Sequence, residues 1–181
     1  MKTEIETLSS RTVYANRWIS VREDAVRFAS GHEGIYGVID KPDFVLVVPL
    51  HDDGRIELVE QYRYPLSRRF WEAPQGGWPA ERKATPEEVA RGELAEETGF
   101  RAASMTPIGH FHQAPGLLNQ GYQAFLAKGL VPGQVQRDIE EQGMMSRAFT
   151  LDEVVAMIAK GQIKDAPTIA ALGLLRLTGQ I

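Results

Sequence analysis

The sequence predicts an α+β protein, an α/β/α sandwich in which a mixed β-sheet lies between helices. Two observations carry that expectation. Phe44-Val45-Leu46-Val47-Val48-Pro49-Leu50 is a nearly continuous apolar run, as a strand buried on both faces requires. The order of elements is strands, one helix, further strands and then two helices, with no internal repeat, low-complexity segment or linker between them.

Each element has its own local signal. Residues 11–40 read as short strands: 14–18 and 20–28 are β-rich, and Ser30-Gly31-His32-Glu33-Gly34 is a turn. Residues 1–40 thus form an extra antiparallel element ahead of a main domain at 41–181. Asp52-Asp53-Gly54 turns the apolar strand, and residues 55–62 are expected to return beside it as a hairpin. Thr85-Pro86-Glu87-Glu88 opens a helix: Thr85 is the N-cap, Pro86 takes the first helical position and Glu88 closes a capping box. Gly99 stops that helix, which spans 86–98. Strands are expected at 104–112, 122–127 and 144–149. Thr150-Leu151-Asp152-Glu153 is a second capping box, followed by the apolar stripe Leu151, Val154, Val155 and Ile158 and a stop at Gly161. A last helix covers 167–177.

Bulk properties narrow the function. The 181 residues amount to one domain with an elaborated N-terminus, at 43% hydrophobic and 24% charged content. The net charge of −4 argues against non-specific nucleic-acid binding, yet a local arginine cluster and a metal can hold a small anion in an acidic protein. With no cysteine there is neither a disulfide framework nor a thiolate metal site, and four histidines make zinc a poor candidate. No apolar run is long enough to span a membrane and the N-terminus lacks a signal core, so a cytoplasmic location without membrane partners is expected.

The chemistry concentrates in Gly92-Glu93-Leu94-Ala95-Glu96-Glu97-Thr98-Gly99-Phe100. Glu93 and Glu97 are four apart and stack on one helix face, with Glu96 beside them. Like charges at this spacing cost a few tenths of a kcal/mol, and the C-terminal end of a helix disfavours anions. A cluster set against both its neighbours and its helix dipole is better explained by a divalent cation, because hard ions take oxygen ligands. On this reading Glu97 faces solvent until metal binds.

These residues resemble the Nudix box of Nudix hydrolases. Glu93, Leu94, Glu96, Glu97, Gly99 and Phe100 fill its second half. Gly92 stands where the family usually has arginine, and Arg91, one place earlier, is turned away by about 100°. The first half is irregular: the run from Gly76 to Ala84 is longer than usual, and Ala84 holds a glutamate position. Val59-Glu60-Gln61-Tyr62-Arg63-Tyr64-Pro65, Trp71-Glu72-Ala73-Pro74-Gln75-Gly76 and Asp165-Ala166-Pro167-Thr168 look like segments of the ADP-ribose pyrophosphatase and nucleotide-sugar hydrolase branch.

The resemblance implies the Nudix fold and Mg²⁺- or Mn²⁺-dependent hydrolysis of a nucleoside diphosphate linked to a sugar, ADP-ribose being the first candidate. It implies Glu93, Glu96, Glu97 and the Gln75 carbonyl as metal ligands, with Glu96 either ligating or steering a water. Catalysis is expected from Glu96, Glu97 and Glu140, the last as general base from a late loop. Arg63, Arg68, Trp71, Pro115 and Gln120 are expected at the substrate, with Trp78 a further stacking candidate. Gln120 and Gln142 stand where relatives often carry glutamate, and an amide can orient a ligand but adds no negative charge. By analogy the N-terminal element contributes to a homodimer. The competing functions are a Nudix-fold module that senses a nucleotide without cleaving it, which Gly92 motivates, and another nucleotide pyrophosphatase.

Overall fold

The computed structural model describes residues 4–77, 83–135 and 143–181. Contacts divide the chain into two units, residues 1–43 with 112–121, and residues 44–111 with 122–181.

The first unit is built on an antiparallel sheet of β1 (Ile5–Ala15), β2 (Ser20–Phe28) and β3 (Glu33–Asp40), in that order. β1 starts earlier and stops earlier than the 14–18 expected from composition. The Asn16 side chain accepts the backbone N–H groups of Trp18 (2.8 Å) and Ile19 (2.9 Å), so the chain turns where the sequence suggested a strand. β1 is an edge strand and is exposed along its whole length. Residues 112–121 join this unit through a parallel bridge between Ile39 and Leu118.

In the second unit β4 (Phe44–Pro49) lies inside a mixed sheet of order β7 (Gln75–Gly76), β4, β9 (Gly121–Pro132) and β8 (Phe100–His112). β4 pairs parallel to β9, with Leu46 opposite Ala124, and antiparallel to β7, with Val45 opposite Gly76. The expected hairpin is therefore reduced to one bridge, Leu50 to Ile56, because both edges of β4 are already occupied. β5 (Ile56–Arg63) instead pairs with β6 (Arg68–Glu72) and β10 (Met145–Phe149) in a separate antiparallel sheet.

Helices cover both faces of β4. Val45 and Val47 pack with Ala90 and Leu94 of α1 (Pro86–Thr98). Leu46 and Val48 pack with Val154 and Met157 of α2 (Leu151–Ala159), and with Ala171, Leu172 and Leu175 of α3 (Ala166–Leu177). This is the mixed sheet between helices that the apolar run predicted. Among the described residues no helix is long and apolar enough to cross a membrane.

Candidate active site

α1 carries the site because its ends are locally encoded. The Thr85 hydroxyl accepts the Glu88 N–H, the Glu88 carboxylate accepts the Thr85 N–H (2.7 Å), and Gly99 closes the helix at φ +77°. Ala90 and Leu94 face β4. Glu93 and Glu97 lie on the neighbouring stripe of the helix, next to β7.

The approach of that stripe to β7 is close. A methyl group added to Gly76 would lie 2.6 Å from the Glu93 carboxyl carbon and 2.8 Å from its Oε1, so only glycine admits the carboxylate here. The Gln75 N–H donates to Glu97 Oε2 at 3.3 Å. Glu97 is 1% exposed and Glu93 6%, whereas Glu96 is half-buried. The solvent-facing Glu97 expected from the sequence is thus corrected: β7 packs over the helix end and removes it from water. The last turn of α1 contains no basic residue to offset these charges.

A cation fits the chemistry of this donor set. Two buried carboxylates and a third alongside offer hard oxygens over a glycine-lined cradle, and they stand at the negative end of a helix dipole. Among the described residues no three acidic or histidine side chains converge as a ready-made ligand group. Beside Glu96, where Gly92 supplies no side chain, the surface opens into a cavity of about 370 Å³ that Ala95, Gly99 and Arg101 also line. Arg91 is engaged elsewhere, with Glu87 (2.9 Å) and the Ala102 carbonyl (2.8 Å), and does not fill the Gly92 position.

Arg63, expected at the substrate, is held in an ion pair with Glu72. Its guanidinium grips both oxygens of Glu72, and Gln61 bonds the same carboxylate. The register explains the pairing: Val59 lies opposite Glu72, so Gln61 and Arg63 share that carboxylate's face of the sheet. Glu72 is 1% exposed. Its burial, with Asp165 nearby, pushes its pKa up to about 7 against the lowering pull of Arg63 and Gln61. Glu72 was not singled out from the sequence, although alternation in β5 with an acid on the next strand was the available signal.

The other expected residues are dispersed. Arg68 is exposed on β6 opposite Arg63. Trp71 stands edge-on to Phe149 at 4.8 Å and packs against the core. Pro115, exposed in a turn, and Gln120 belong to the first unit. Gln120 is buried, and its amide donates to the Pro42 carbonyl at 2.7 Å. Glu140, Gln142 and Trp78 lie outside the described residues.

A family model described as the NUDIX domain matches residues 40–172, and one described as the nucleoside diphosphate sugar hydrolase N-terminal domain matches residues 5–39. The chain is 29% identical over 175 residues to an ADP-ribose pyrophosphatase of Bacillus subtilis (strain 168), covering 96% of this chain and 94% of that one. It is 30% identical to an ADP-ribose pyrophosphatase of Mycobacterium tuberculosis (strain ATCC 25618 / H37Rv), covering 93% and 82%. A crystal structure of an ADP compounds hydrolase superposes with a TM-score of 0.86 at 23% identity, covering 98% of this chain and 96% of that one, a likeness of fold.

Proposed function

The chain belongs to the Nudix family and is a Nudix pyrophosphohydrolase, and from that premise we propose that it hydrolyses a nucleoside diphosphate linked to a sugar, ADP-ribose first, to a nucleoside monophosphate and a sugar phosphate. The observation that carries this reading is the burial of Glu93 and Glu97 against β7. Carboxylates toward the C-terminal end of a helix stand against its dipole, and their hard oxygens suit a divalent cation, which would offset that charge. The names of the relatives support the substrate class, as does the N-terminal match to a nucleoside diphosphate sugar hydrolase domain.

In this reading Glu93, Glu97 and the Gln75 carbonyl hold Mg²⁺ or Mn²⁺, with Glu96 as a further ligand or as the group that steers the attacking water. When bound, the cation neutralises charge on the diphosphate and acidifies water. Glu140 is assigned as general base. Arg63, whose Nε and Nη2 grip Glu72, is assigned to a phosphate through its Nη1 side, and Arg68 adds positive charge beside it. Trp71, Pro115 and Gln120 are assigned to the nucleoside and sugar. The enzyme is taken to work in the cytoplasm as a homodimer without nucleic-acid or membrane partners. Ile5, Leu8, Val13 and Tyr14 support the dimer, being exposed apolar side chains on an edge strand.

The test is incubation with ADP-ribose and a panel of nucleotide sugars and dinucleotides, with Mg²⁺ and with chelator, and chromatography of the products. Metal-dependent release of a nucleoside monophosphate is expected. Binding of a nucleotide without turnover of any compound would replace this reading with a sensing module. Light scattering of the eluted protein reads the dimer separately.

A further inference from the structure

We propose that Asp165 and Thr168, at the N-terminus of α3, are positioning residues for the backbone that faces the site carboxylates. Asp165 is the N-cap of α3 and Thr168 its third helical residue. Capping requires one bond, from the Thr168 N–H to Asp165 Oδ2, found at 2.8 Å. The structure contains more. The Thr168 hydroxyl donates to the same oxygen at 2.7 Å and accepts the Ala73 N–H at 2.9 Å. The Gln75 side-chain Nε2 donates to Asp165 Oδ2 at 3.2 Å. Thr168 is 0% exposed, so neither of its bonds is shared with bulk water.

Two of these three additional bonds run to the segment from Ala73 to Gly76. That segment is anchored on its other sides by the sheet, where the Val47 N–H donates to the Pro74 carbonyl (2.9 Å), and by the Gln75 N–H to Glu97. Pro74 brings no N–H of its own, and the α3 cap holds its two neighbours, Ala73 by its backbone N–H and Gln75 by its side chain. The cap therefore sets where β7 stands against Glu93 and Glu97. In this role its two residues act through Ala73 and Gln75.

This inference rests on the proposed metal site. It is tested with purified Thr168→Val, Thr168→Ser, Gln75→Ala and, as control, Thr178→Val, whose hydroxyl bonds Leu174, Leu175 and Gln180 at the far end of α3. Three quantities are measured: free Mn²⁺ by electron paramagnetic resonance during titration, amide exchange at residues 73–76 without metal, and kcat and KM on whichever compound is turned over. Thr168→Val is expected to weaken Mn²⁺ binding and speed exchange at Ala73 and Gln75 by about tenfold or more, with Thr168→Ser restoring both. Gln75→Ala should weaken Mn²⁺ binding by a smaller factor, and it stands in if the valine variant does not fold. Thr178→Val should leave Mn²⁺ binding unchanged even where it lowers Tm. Folded Thr168→Val or Gln75→Ala with wild-type Mn²⁺ binding and exchange overturns the inference. Wild-type protein that binds Mn²⁺ but cleaves no nucleotide sugar sinks the proposed function and leaves the positioning role standing. Wild-type protein that binds no Mn²⁺ overturns both.

Discussion

The N-terminal sheet and the sheet-and-helix unit differ in how many acidic side chains they bury. On β1–β3 two arginines form solvent-exposed ion pairs: Arg11 with Glu23 at 2.7 Å, and Arg27 with Glu33 at 2.8 Å and Glu6 at 3.2 Å. Each pair bridges neighbouring strands and suits the register more than the stability. In the second unit Glu57, Glu72, Glu93 and Glu97 are all buried. Glu57 is held by His51 (2.8 Å) and Ser146 (2.5 Å), and Glu72 by Arg63 and Gln61. Among the described residues of the first unit only Asp24 is an acid buried to that degree, paired with Arg22 at 3.0 Å. Exposed charge can be placed freely because water screens it. Buried charge needs specific surroundings, and Glu93 and Glu97 in addition stand toward the helix end that disfavours anions.

Glu97→Gln separates use from stability most sharply. It should lower kcat by about 10³-fold, several kcal/mol of transition-state stabilisation, while Tm stays level or rises because a buried charge is removed. Steady-state kinetics beside thermal melts would decide, and a variant with undiminished metal-dependent turnover would take Glu97 out of the site.

Glu72 should appear in the pH dependence of folding. Its carboxyl ionises near 4.5 when unfolded and about 7 when folded, so the native chain holds a proton that the unfolded chain has released. Stability from this group is full below pH 4.5 and is lost as pH rises through 7, by at most about 3 kcal/mol. Denaturant titrations from pH 4 to 8 should show that slope, and Glu72→Gln should flatten it. A slope of opposite sign would mean that Arg63 outweighs desolvation.

Gly76→Ala forces a methyl group into the Glu93 carboxylate. A loss of about 2 kcal/mol in chemical denaturation is expected, together with weaker metal binding. An unperturbed variant would show that β7 is not pressed against the helix. The smallest effect belongs to the other side of the comparison: Arg27→Ala should leave Tm within measurement scatter and metal-dependent activity at the wild-type level. A large drop in Tm would make the N-terminal ion pairs structural.

Much of this is legible in the sequence. α1 begins and ends where Thr85, Pro86, Glu88 and Gly99 placed it, because caps are bonds between residues three or four apart. The apolar run of β4 is buried on both faces, as its lack of alternation required. The partner of β5 was misjudged from a turn signal, since Asp52-Asp53-Gly54 reverses the chain but says nothing about which edges of β4 are free.

The sequence by itself determined the helix termini, the doubly buried strand and the grouping of Glu93, Glu96 and Glu97, all consequences of short-range spacing and hydrophobic pattern. Only the tertiary structure decided that Glu97 is buried beneath Gln75, that Glu72 lies in the grip of Arg63, and that the cap of α3 reaches back to Ala73. Those depend on which distant segments share a sheet edge. That choice is made by the summed burial of the whole core, and no local run of residues encodes it.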